Sequence, residues 1–143
     1  MSPTHGLVWW SELMTRNVAA SRAFYEATCG WIFETVDMPE GEYHLAHAHG
    51  RPVAGMMDMA ALPEAAETAP HWFTYLAVED LDLALEAALA QGGQILRAPF
   101  DVPGTGRIAL LTDAGGAAVG LMTPEAQWDP PETEAGSLEN VPV

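Results

Sequence analysis

No lysine occurs in this chain, and five arginines stand against twenty acids, for a formal charge of −15. Nothing here could neutralise a run of phosphates, which excludes nucleic acid as a partner. Cys29 is the single cysteine, so an intrachain disulfide and a zinc site of several thiolates are both excluded. At the end of an amphipathic helix it reads as a small buried hydrophobe rather than a nucleophile. Apolar runs are broken by Gly, Pro or charge well short of the ~20 residues a membrane span needs. The N-terminal residues carry no basic segment leading into an apolar stretch, so the expected location is the cytoplasm. Gly104-Thr105-Gly106 has neither the length nor the helix with lysine that a phosphate loop requires.

What is present fits one domain of 143 residues, 49% of them hydrophobic, a length at which roughly 68% of the unfolded surface can be buried. The stretch Val8–Thr15 contains two adjacent tryptophans and one carboxylate, and reads as a half-buried strand. An amphipathic helix follows over Val18–Thr28, stopped by Gly30. Extended segments are expected at Trp31–Val36, Glu42–His49 and Val53–Met59, with turns at Met38–Gly41 and Gly50–Pro52. Residues 60–70 shift to Ala, Glu and Pro and form a connector with one helical turn around Glu64–Thr68. A second series follows: strand His71–Val78, helix Leu81–Gln91, strand Gln94–Arg97, turns over Pro99–Gly106, then strands Arg107–Thr112 and Ala117–Thr123. From residue 124 to 143 the chain is an acidic, proline-rich tail whose large apolar anchor is Trp128, expected to pack on its own domain or on a partner subunit.

The second series repeats the first. A shift of 63 residues puts Asn17 on Asp80, Ala20 on Leu83, Gly30 on Gly93 and Ile32 on Ile95. A shift of 65 puts Val53-Ala54-Gly55-Met56-Met57 on Ala118-Val119-Gly120-Leu121-Met122, with Tyr43 on Ile108. Two copies of a β-α-β-β-β unit of about 60 residues each follow, residues 1–59 and 71–123. Neither buries both faces of its own sheet, so they pair into one α+β domain, helices outside and a concave sheet cleft between the modules.

In this order, Leu13-Met14-Thr15-Arg16-Asn17, Phe24-Tyr25, Gly30-Trp31, Val78-Glu79-Asp80-Leu81-Asp82, Gly92-Gly93 and Asp113 with Gly115-Gly116 make the chain resemble the vicinal oxygen chelate superfamily, which embraces glyoxalases, bleomycin-resistance proteins and dioxygenases. The resemblance covers residues 6–123. It implies a cleft in which family enzymes hold a divalent metal through the first and last strands of each module. Those four positions fall here on Trp10, Phe73, Gly55 and Gly120, two aromatics and two glycines without a ligand among them. No metal and no other cofactor is therefore expected, and chemistry needing a Lewis acid is disfavoured. His44, His47 and His49 lie on one extended segment, where alternation turns His47 and His49 to one face; two imidazoles could start a displaced site, but no third ligand is placed by the sequence and exposed edge-strand histidines are the favoured reading.

Alternation from Trp10 sends Val8, Glu12 and Met14 into the cleft and Trp9 and Leu13 toward the helices. By the repeat, Glu12 is paired with Tyr75. A carboxylate walled by Trp10, Phe73 and methionines would have its pKa raised by desolvation, which suits a general base or a receptor for a cationic or hydroxylated ligand. A structural hydrogen bond from Tyr75 to Glu12 is the plainer role for the same pair. Expected catalytic residues are Glu12 and Tyr75; expected ligand contacts are Trp10, Met14, Met57, Phe73, Arg107 and Met122. The expectation is a small-molecule binder with a metal-free cleft, taking an aromatic or cationic molecule, in a homodimer. The alternative is a metal-dependent lyase, isomerase or dioxygenase with non-standard ligands.

Overall fold

The computed structural model describes residues 2–38, 41–61, 67–102 and 105–125. Its elements run β1 (Val8–Thr15), α1 (Val18–Cys29), β2 (Ile32–Met38), β3 (Gly41–Ala48), β4 (Arg51–Asp58), a 3₁₀ turn at Met59–Ala61, β5 (His71–Ala77), α2 (Leu81–Ala90), β6 (Gln94–Val102), β7 (Gly106–Thr112) and β8 (Ala118–Pro124). All eight strands form one sheet in the order β2-β3-β4-β1-β5-β8-β7-β6. The fold is α+β. Each module closes on itself by a parallel pairing of its first and last strands, and β1 pairs antiparallel with β5 to join the modules at the centre.

Both helices start alike. Asn17 and Asp80 accept the backbone N–H groups of Ala20 at 3.0 Å and Leu83 at 3.1 Å, capping donors that a helix leaves open. Gly30 ends α1 at φ 69°, a left-handed conformation that costs glycine little. Docking differs between the two. Helix α2 buries Leu81 and Leu85 against Val78, Ala109 and Leu111. Helix α1 buries no residue; it meets the sheet through Tyr25, stacked on Trp31 at 5.1 Å and edge-on to Trp72 at 5.6 Å, and through Arg22. Beneath it lie Leu13, His44, Ala46, Ala54 and Met56, all buried.

Four expectations are corrected. Strand β6 continues through Pro99 to Val102, where turns were expected. It is a sheet edge, where a proline forfeits no ladder bond, and its register slips twice. The register of β1 on β5 also slips between Val8 and Trp10, so Val8 pairs with Leu76 and alternation no longer carries it to the face of Trp10. His49 lies beyond β3 at φ 54°, in the turn before β4, and so does not share a strand face with His47. Cys29 is exposed, because α1 turns no residue fully inward at its C-terminal end. The helical turn at Glu64–Thr68 falls largely outside the described residues, as does the tail with Trp128.

Candidate functional site

The site is built from the face of the sheet opposite the helices. Register places Trp10 beside Tyr75 and Glu12 beside Phe73 across the central β1–β5 ladder. The same rungs continue outward, Glu12 beside Gly55 and Tyr75 beside Gly120. The two modules are thus related about a point in the central ladder: Trp10 exchanges with Phe73, Glu12 with Tyr75 and Gly55 with Gly120.

The glycines have a steric cause. A Cβ on Gly55 would overlap the hydroxyl end of Tyr43, and one on Gly120 would overlap the ring of Tyr75. Only a residue without a side chain lets each ring lie flat across the strand. Tyr43 stands on β3, level with Met57, and reaches over Gly55 to the centre of the sheet. There its hydroxyl accepts the indole N–H of Trp10 at 2.9 Å and is hydrogen-bonded to Glu12. Tyr75 donates its O–H to Glu12 Oε1 at 3.3 Å, and its ring meets Phe73 edge-on at 5.1 Å. Glu12, 9% exposed, is among the few buried polar residues of the chain. Burial, followed by the negative charge of Glu12, pushes the Tyr43 phenol far above its ordinary pKa, and the Trp10 hydrogen bond only partly opposes this.

The structure brings Trp10, Glu12, Phe73 and Tyr75 together, with Met14 and Met57 paired across β1 and β4 as the next rung. Met122 lies on the same face, level with Ala77 and Ile108, but is enclosed at 2% exposure. Arg107 is a correction. It shares the face of Ala109 and Leu111, under α2, and its guanidinium is held by Asp82 at 3.2 Å. Tyr43 is the residue that sequence reasoning missed. Its signal was the glycine at 55, whose empty position needs a neighbouring ring to fill it.

His47 Nε2 lies 3.2 Å from Glu34 Oε1, an ordinary cross-strand pair. His44 points the other way, buried, with its Nδ1 3.5 Å from Arg22 Nη1. Among the described residues, no three His, Cys, Asp or Glu side chains are grouped so as to hold a metal ion. A cavity of about 280 Å³ lies apart from the sheet centre, between the N-terminal residues Ser2 and Thr4, Trp9, and the end of β8 at Thr123–Glu125. No helix among the described residues is long and apolar enough to cross a membrane.

An eight-stranded sheet of two β-α-β-β-β modules with a cleft at their junction defines the vicinal oxygen chelate class. Residues 7–121 match the Glyoxalase/Bleomycin resistance protein/Dioxygenase superfamily, and the chain belongs to it. The glyoxylase-like protein CFP32 of Mycobacterium tuberculosis is 34% identical over 125 residues, which are 85% of this chain and 46% of that protein. The anthracycline biosynthesis protein DnrV of Streptomyces peucetius is 32% identical over 117 residues, 82% of this chain and 41% of that one. The chain thus spans less than half the length of these curated relatives. Methylmalonyl-CoA epimerase of Streptomyces coelicolor shares the fold, with a TM-score of 0.62 at 18% identity over 85% of this chain and 99% of the epimerase chain.

Proposed function

We propose that this chain binds a small aromatic or cationic molecule in the sheet cleft, without a divalent metal at the family position. One observation carries the reading: at the positions where family enzymes place ligands, Trp10 has its N–H engaged by Tyr43, Phe73 has no donor atom, and Gly55 and Gly120 lie under tyrosine rings. Residues of this kind do not fit a metal, and the volume is given to aromatic surface instead. Trp10, Phe73, Met14 and Met57 supply flat and adaptable apolar contacts, and Glu12 supplies the charge. The name of DnrV makes an anthracycline a sensible member of a ligand panel.

Two measurements test this. Protein purified without a histidine tag is assayed for bound metal, and the same sample is titrated with aromatic compounds, neutral and cationic, before and after chelation. The expected result is saturable binding that chelation leaves unchanged and that Trp10→Ala weakens at least tenfold. Stoichiometric divalent metal whose removal abolishes binding would overturn the reading in favour of a metal-dependent lyase, isomerase or dioxygenase.

A second reading rests on the Tyr75 to Glu12 hydrogen bond. With Glu12 as base and Tyr75 as orienter or acid, the cleft would carry out metal-free proton transfer on a bound carbon acid. Deuterium uptake from solvent into a bound compound, lost in Glu12→Gln and reduced in Tyr75→Phe, is its signature. We place the chain in a homodimer; sedimentation at micromolar concentration decides this, and a monomer would remove that part.

A further inference from the structure

We infer that the cleft selects its ligand by positive charge rather than by hydrogen bonding, taking a tertiary or quaternary ammonium on a flat apolar body, and that Tyr43 sets this preference. The inference rests on the reading of the cleft as a ligand site and names the chemistry that site takes.

The argument starts from the protons. Trp10 has one N–H, and it is given to the Tyr43 hydroxyl at 2.9 Å. The hydroxyl's own proton is then directed to its other partner, Glu12. Tyr75 donates a second phenolic proton to Glu12 Oε1. Two phenolic donors take up part of this carboxylate's acceptor capacity. Glu12 is also only 9% exposed. What remains available to a ligand is the negative charge, spread beneath the faces and edges of Trp10, Tyr43, Phe73 and Tyr75. An ammonium bearing methyl groups is suited to such a surface: it needs no hydrogen-bond acceptor, it is easily desolvated, and aromatic faces attract it. A primary ammonium must shed more water and finds its natural acceptor buried and partly engaged. The net charge of −15 adds long-range attraction for any cation.

The same features single out Tyr43. Its counterpart by the repeat is Ile108 on β7, so the matching strand of the second module brings no phenol to the centre. Burial and the Glu12 charge keep that phenol protonated throughout the physiological range, so its donation to Glu12 does not lapse with pH.

The test titrates the intact protein with benzylammonium, its mono-, di- and trimethylated derivatives, and benzyl alcohol. Affinity should hold or rise with methylation, and the trimethylated cation should bind about tenfold or more above the alcohol, the scale of a desolvated cation over aromatic rings. Tyr43→Phe frees one acceptor site on Glu12, and should shift the ratio of primary to quaternary affinity about fivefold toward the primary amine. Equal affinity for the alcohol and the trimethylated cation would overturn the inference while leaving the cleft a ligand site. A steady fall in affinity with methylation would likewise overturn it, and this arm needs no variant. An unchanged ratio in folded Tyr43→Phe would remove Tyr43 from selectivity. Binding of none of these probes, nor of the wider aromatic panel, would sink both this inference and the functional reading beneath it.

Discussion

The two modules share a topology and hold their helices by opposite means. At equivalent places under the helices, the second module has Leu85 and Ala109, both part of its aliphatic core, and the first has Arg22 and His44. Where α2 presents Ala88, α1 presents Tyr25 in a cluster with Trp31 and Trp72. The second module therefore docks its helix mainly by aliphatic burial, a contribution that does not change with pH. The first places a titratable ring beside a guanidinium, with Glu42 and Asp58 charges also acting on it. The lesson is that a duplicated backbone tolerates quite different chemistry at matched positions, provided each position fills its volume.

The contrast can be broken most forcefully in the second module. Leu85→Ala opens a cavity in its aliphatic cluster and should cost about 2–5 kcal/mol of unfolding free energy, read from urea denaturation. Arg22→Ala at the matched place should cost about 1 kcal/mol, since part-exposed hydrogen bonds to Thr35, Phe33 and His44 and the contact with the Phe33 ring are lost. Equal losses would mean that the modules are held alike after all. Gly55→Ala comes next: its methyl overlaps Tyr43, and overpacking of this kind costs about 1–3 kcal/mol. The same change made in a Tyr43→Ala background should be close to neutral, and a double-mutant cycle without coupling would show that Gly55 has another cause.

Acid should weaken the first module selectively. Burial, and then the Arg22 charge, hold His44 below its ordinary pKa of about 6.5 in the folded state. The unfolded chain then takes up a proton that the folded chain refuses. Stability is complete above about pH 6.5 and declines as pH falls below it. The double change Arg22→Leu with His44→Ala, which copies the second module, should abolish this share of the acid slope in urea midpoints compared at pH 7.5 and 5.5. The smallest effect belongs to Cys29. Being exposed, it should react with a thiol reagent in the native protein, and Cys29→Ser should alter stability by less than about 0.5 kcal/mol.

The fold was legible because its signals are local and occur twice. Caps at Asn17 and Asp80 and the apolar spacing of the strands each specify an element, and the 63-residue repeat supplies their arrangement. Residues whose position depends on one strand's alternation, Glu12 and Met14 among them, came out on the expected face. Departures arose where alternation is interrupted, at the slip before Trp10 and in the continuation of β6 through Pro99. The neighbours of Glu12 were only half legible. Tyr75 is related to it by the repeat, whereas Tyr43 arrives from two strands away, across a glycine, and has no counterpart in the other module. Arg107 looked available because its partner, Asp82, sits on a helix whose orientation no local pattern reveals.

The pairing of β1 with β5 carries one more consequence. Had the halves remained identical, residue 12 and its mate would both be carboxylates near the centre of one ladder, two like charges competing for the same protons. Joining the copies in a single chain let the mates diverge into an acid and a phenol, one accepting what the other donates. Duplication here does more than enlarge the domain: it lets matched positions hold complementary groups.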